Sequence, residues 1–176
     1  MTVRLAQLTD ADAEPTARWR EAARPYLRTP YVRTVEEQRE FIRTLHEHRY
    51  EYRYWAVQRD EGYDPQQTVG LAGLSPIQWE NGIAEVSLVL DPACVGKGYG
   101  GQAFALLLAE AFDYLRLEQV VAEVYANNPA MGFWDRMARK HGADSRVLPK
   151  RKYSGGVFHA AVYFSFQKRA WGRHKP

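Results

Sequence analysis

The chain has 176 residues, 45% hydrophobic and 26% charged, which suits one globular domain with a proper core and excludes collagen-like and disordered classes. Its single cysteine, Cys94, excludes an internal disulfide and a cysteine-built zinc site. The net charge of +3 hides a polarity: residues 136–176 carry eleven Lys and Arg against one acid, Asp144, so the remaining 135 residues balance at −7.

The start, "TVRLAQL", alternates and predicts a strand, with Thr9–Asp12 as turn and helix start. Two helices are predicted over residues 13–24 and 35–49. Pro25 and Pro30 break the chain between them, and Thr34 is the expected N-cap of the second. "YEYRYWAVQ" reads as a strand, "DEGYDPQQ" as a turn-rich connection, and "TVGLAGLSPIQW" as the next strand. "ENG" signals a hairpin into "IAEVSLVL". After a glycine-rich loop, "GQAFALLLAEAFDYLRL" is the strongest helix pattern in the chain. "QVVAEVYA" follows as a strand and "NPAMGFWDRMARKHG" as a helix, with Pro129 in its first turn. A hairpin closes the chain: "DSRVLPKRKY", a turn at Ser154-Gly155-Gly156, then "VFHAAVYFSFQ". The order is β-α-α-β-β-β-α-β-α-β-β, an α/β fold with a mixed, mostly antiparallel sheet flanked by helices. Residues 1–168 are expected to form one domain and 169–176 a basic C-terminal tail. No apolar run approaches a membrane span, and "MTVRLAQLTDADAE" turns acidic before a signal-peptide core could form, so a cytoplasmic protein is expected.

The loop "DPACVGKGYGG" places four glycines within six residues, between a strand and a helix. The first N–H groups of a helix lack internal partners, and its dipole puts partial positive charge there. With the Cβ atoms of Gly96, Gly98 and Gly100 absent, successive N–H groups can close on a phosphate, and Lys97 adds a charge at the rim. A P-loop would need Ser or Thr after the lysine, where Gly98 stands; a dinucleotide fingerprint would need a parallel βαβ unit opening near the loop and an acidic residue after the next strand, whereas the strand before this loop leaves a hairpin at mid-chain.

"AEVSLVLDPACVGKGYGGQAFALLLAEAFDYLRLEQVVAEVYANNPAMGFW" resembles the core of the GNAT superfamily of acyl-CoA N-acyltransferases. That family's pyrophosphate loop reads R/Q-x-x-G-x-G/A, matched by Val95 to Gly100 except that Val95 replaces Arg or Gln. The early "ARWREAARPYLRTPY…TVEEQREFI" resembles the branch with ribosomal-protein alanine and amino-sugar acetyltransferases.

The resemblance implies an acetyl-CoA-dependent N-acetyltransferase, with direct attack by a neutral primary amine on the thioester. It implies CoA contacts for Val95, Gly96, Lys97, Gly98, Tyr99, Gly100 and Gly101. By the resemblance, Val89 and Leu90 lie at a splayed gap between the strand before the loop and the strand after the helix, where a backbone N–H meets the oxyanion, and Asn127 matches the residue that bonds the pantetheine arm. Glu85 stands where many members place a general base; read alone it is a strand carboxylate facing solvent or pairing with an arginine. The pattern Asn-x-x-Ala/Ser-x-x-Phe/Leu-Tyr, whose tyrosine protonates the departing thiolate, is met by Asn127, Ala130 and Phe133 but ends in Trp134. Indole is too weak an acid for that task, so Trp134 is either a hydrogen-bond donor to sulfur or a core aromatic. Asn128 competes with Asn127 for the helix cap. Cys94 has no partnered base and reads as a buried thiol, and the histidines lack metal-ligand spacing, so no metal is expected.

The expected acceptor is a small-molecule amine, a nucleotide-linked amino sugar being the preferred case. The basic hairpin "RVLPKRKYSGG" would meet its phosphates. A macromolecular amine, on protein or nucleic acid, and a non-catalytic acyl-CoA binding module are the alternatives. A homodimer follows from family habit.

Overall fold

The computed structural model describes residues 2–28, 32–60 and 67–172. Its strands are β1 (Thr2–Ala6), β2 (Arg53–Asp60), β3 (Thr68–Gln78), β4 (Ile83–Leu90), β5 (Gln119–Tyr125), β6 (Asp144–Ser154) and β7 (Val157–Gln167). They form one sheet in the order β1-β2-β3-β4-β5-β7-β6. All neighbouring pairs are antiparallel except β4 with β5, the pair joined through a helix. The helices are α1 (Ala13–Ala23), α2 (Val35–Thr44), α3 (Tyr99–Ala109), α4 (Met131–His141) and α5 (Lys168–Trp171). This is the mixed architecture expected from the order of elements.

The strand alternation decides which face each helix covers. Ala72, Ala84, Val86, Ala122, Val124 and Phe164 join Phe104, Leu107 and Leu108 of α3 and Trp134 of α4 in the main core. On the other face, Ala56 and Leu71 meet Ala13 of α1 and Ile42 of α2. Thr34 caps α2 as its sequence predicts: its hydroxyl accepts from Glu37 N at 3.1 Å, and the Glu37 carboxylate returns to Thr34 N at 2.8 Å.

The elements depart from expectation at their ends. The helix α2 stops at Thr44, five residues early, because Leu45 N–H bonds three residues back to Ile42 and the chain then turns. After Ala109, α3 widens into a π-helical turn over Glu110–Tyr114, in which Leu115 N–H reaches the Glu110 carbonyl. Pro129 precedes the N-cap Ala130 rather than opening α4. Pro30, residues 61–66 of the expected connection, and residues 173–176 lie outside the described residues.

The start of the expected basic tail is different in kind. Residues 168–171 form a helical turn, and Trp171 is 4% exposed. Its ring packs against Phe112 and His141, and its indole N–H donates to Asp113 at 3.1 Å. Basic residues flank this tryptophan, but the apolar side chain governs, because burying it outweighs leaving the segment solvated. Trp171→Ala is expected to destabilise the fold by about 3–5 kcal/mol in urea titration, the loss for a large buried aromatic. A solvated tail would show no change.

The parallel ladder between β4 and β5 is short, pairing Ile83, Ala84 and Glu85 with Gln119, Val120 and Val121. Beyond Glu85 the strands part, while β4 stays on β3 as far as Leu90 and β5 stays on β7 as far as Tyr125. A wedge therefore opens mid-sheet, its vertex at Glu85 and its mouth beside the glycine loop.

Candidate active site

The loop at the mouth is built as its glycines require. Gly96 and Gly98 have φ of +83° and +86°, where a side chain is strained, and a Cβ at Gly96 would meet nothing within 4 Å. Residues 95–98 are exposed, Lys97 among them, and Gly98 is the N-cap of α3 with no side-chain cap. The first N–H groups of α3 are thus left beside an open backbone turn. Gly100 serves a different purpose from that expected: a Cβ there would lie 3.3 Å from both Leu90 and Phe133, so this glycine lets α3 approach β4 and α4. Tyr99 is 1% exposed and sits in the core, which leaves only its backbone for a ligand. The Val95 side chain is 65% exposed and offers no hydrogen bond where the family has Arg or Gln.

Further into the wedge, Val89 is buried and Leu90 half-buried along the β4 side. Asn127 follows the end of β5. Its Oδ1 is buried and accepts no hydrogen bond among the described residues, a costly state for a carbonyl oxygen. Asn128 makes the turn contact into α4, its side chain accepting from Ala130 N at 2.8 Å. Asn127 is therefore free of capping duty and holds an acceptor atom ready at the mouth.

The vertex holds a network of charges on the α1–α2 face. Glu85 accepts from Arg28 Nη2 at 2.7 Å, and the same guanidinium lies 3.6 Å from Glu123 of β5. The Glu123 side chain, 8% exposed, is gripped by Arg151 through bonds of 2.9 and 3.0 Å. Burial pushes the Glu85 carboxyl above its ordinary range, with Arg28 opposing and Glu123 adding to the rise. Glu123 moves the other way, below its ordinary range, chiefly through the Arg151 hydrogen bond. Tyr163 of β7, paired with Glu123, is raised by burial and by both carboxylates.

The basic hairpin reaches this network through a bulge. Between Leu148 and Lys152 the register of β6 on β7 shifts, Lys150 takes a φ of +51°, and Pro149 has no N–H to contribute. Lys152 Nζ then donates to the Leu27 carbonyl at 2.8 Å and lies 4.8 Å from the Tyr125 ring centre.

Trp134 does not join the site. It is 8% exposed and packs edge-on to Phe104 and Phe133 and stacked on Phe164, so the geometry gives it a packing role, not a catalytic one. Cys94 is buried, as its size favours. Sequence reasoning missed Arg28, Glu123 and Tyr163. The lone acid inside the apolar strand "QVVAEVY" was the available signal for Glu123; nothing marked Arg28. A cavity of about 600 Å³ between α2 and the start of β2 lies away from the wedge, beyond β3 in the sheet. Among the described residues no His, Cys, Asp or Glu cluster could hold a metal ion, and no helix is long and apolar enough to cross a membrane.

A sequence profile of the acetyltransferase (GNAT) domain matches residues 2–143. The chain belongs to the GNAT family. This GNAT protein is an acetyl-CoA-dependent N-acetyltransferase. The spermidine N-acetyltransferase of Vibrio cholerae, solved with CoA and spermine, is similar in structure with a TM-score of 0.81. At 18% identity the alignment covers 97% of this chain and 98% of that one. An N-acetyltransferase from Staphylococcus aureus Mu50 superposes with a TM-score of 0.77 at 15% identity, covering 96% and 99%. At these identities the likeness is one of fold. No curated protein matches the chain.

Proposed function

We propose that this GNAT protein acetylates a small-molecule primary amine that arrives as a compact ammonium, with Glu85 as the general base. The observation that carries the reading is the vertex of the wedge: the β4–β5 ladder ends at a half-buried carboxylate whose proton affinity is raised. A base with a raised pKa accepts an amine proton more readily than an ordinary carboxylate.

The co-substrate supplies the acetyl thioester. The residues present fit it: the backbone of Val95–Gly101 would cradle its pyrophosphate with Lys97 at the rim, Val89 and Leu90 would line its pantetheine arm, and the Asn127 carbonyl oxygen would accept one of its amide N–H groups. The orphaned state of that oxygen supports this assignment. Asn127→Ala removes the stranded acceptor, so thermal stability without ligand is expected to hold or rise. Affinity for acetyl-CoA by calorimetry should fall by about tenfold, the worth of one hydrogen bond of roughly 1.5 kcal/mol.

Two of the four basic side chains in the hairpin "RVLPKRKYSGG" are already engaged at the vertex. Arg151 is spent on Glu123, and Lys152 on the Leu27 carbonyl and the Tyr125 ring. This favours a compact cationic amine over the nucleotide-linked amino sugar expected from the sequence, whose phosphates would need those groups free. The V. cholerae neighbour acts on spermidine, an amine of the favoured kind. The test is CoA release with acetyl-CoA and a panel of alkyl diamines, nucleotide-linked amino sugars and a peptide N-terminus. Turnover is expected with the diamines; turnover confined to either other class would overturn the preference.

A further inference from the structure

The contact between Arg28 and Glu85 raises a chemical problem. A base held through Oε1 at 2.7 Å to a guanidinium is a poorer proton acceptor, and an incoming ammonium competes with that cation for the carboxylate's charge. Arg28 is nevertheless well placed to leave. Its side chain is 58% exposed, against 22% for Glu85, and Glu123 offers a second carboxylate 3.6 Å away. Glu123 is kept ionised and in place by Arg151. Glu85 therefore has a partner that can step aside without losing its own counter-charge.

We propose that Arg28 is an exchangeable counter-ion: it occupies the position at Glu85 that the acceptor's ammonium takes, and it yields that position by shifting onto Glu123. The exchange leaves Glu85 with one cation in direct contact before and after, and Arg28 keeps Glu123 as its counter-charge, so no carboxylate is stranded at any stage. The bound ammonium then gives one proton to Glu85, leaving a neutral amine and a neutral carboxylic acid. A neutral, weakly basic amine cannot make this exchange, since entering would break the ion pair and put nothing in its place. Arg28 thus selects alkylammonium acceptors over arylamines. The proposal rests on Glu85 being the base, and among the described residues the charged or titratable groups around that carboxylate are Arg28, Glu123 with its partner Arg151, and Tyr163.

The experiment follows the Glu85 carboxyl carbon by NMR, assigned by its loss in Glu85→Gln, and titrates pH with and without ethylammonium chloride at matched ionic strength. Arg28→Gln should move the Glu85 pKa further up, because the cation that opposes the rise is gone. Ethylammonium should bring it back down in Arg28→Gln and move it much less in the wild type, where Arg28 leaves direct contact as the ammonium enters; Arg28→Lys should behave as wild type. A fall in the wild type as large as that in Arg28→Gln would show both cations in contact with Glu85 together and overturn the proposal. So would an Arg28→Gln protein indifferent to ethylammonium. In turnover, Arg28→Gln should lower KM for an alkylamine by about two- to fivefold, the worth of a half-exposed ion pair no longer broken; a residue that merely oriented Glu85 or held the acceptor would raise it. Full turnover in Glu85→Gln would remove the base assignment while leaving the ion-exchange readout standing, so the two failures are distinguishable.

Discussion

Glu85→Gln is expected to lower kcat/KM for amine acetylation by about 10²–10⁴-fold, the usual contribution of a positioned base. The amide keeps the shape of the carboxylate and can still meet Arg28, but it cannot accept a proton. Folding should be little affected, since the carboxylate at this site is disfavoured by burial to begin with. The pH profile gives the sharper check. A base works only when ionised, so wild-type activity should climb on the acid side with a limb above the ordinary carboxylate range, the direction in which burial pushes Glu85. In Glu85→Gln that limb should vanish. If the variant keeps both its rate and its acid limb, proton removal happens elsewhere, with solvent as the first alternative.

Gly98→Val should cost the protein its grip on acetyl-CoA. Gly98 sits at φ +86° as the N-cap of α3, and a β-branched residue there is a genuine outlier. Strain of about 1–3 kcal/mol is relieved by re-forming the turn, and with it the orientation of the N–H groups. Affinity should fall by about ten- to a hundredfold, each 1.4 kcal/mol being a factor of ten. Calorimetry with CoA reads this directly, and kcat at saturating acetyl-CoA should stay near wild type because Glu85 is untouched. Gly96→Val, at φ +83° with open space around it, should act alike. Unchanged affinity in both variants would mean that the glycines shape a turn and nothing more.

The loop was legible in the chain because its requirement is local: positive φ at a strand-to-helix junction admits few residues other than glycine. For the same reason Thr34 could be placed as a cap from "TVEE", and the elements could be ordered from periodicity. Glu85 could be nominated by position, but its charge state could not, since that depends on Arg28, 57 residues away in the chain, and Glu123, 38 away. Trp134 stood at a catalytic position in the motif, yet its surroundings of Phe104, Phe133 and Phe164 come from three separate elements. Trp171 looked like part of a tail because its basic neighbours dominate any window, and only the docking surface formed by Phe112 and His141 makes it core.

Backbone-local demands, namely strand alternation, helix caps and the glycines of the phosphate loop, were thus written in the order of residues, along with the family those residues resemble. The wedge between β4 and β5, the orphaned oxygen of Asn127 and the Arg28–Glu85–Glu123–Arg151 chain of charges were decided by tertiary structure. The reason is the range of the forces. Dihedral preference acts within a few residues, whereas desolvation and ion pairing depend on whatever the fold brings within about 4–6 Å.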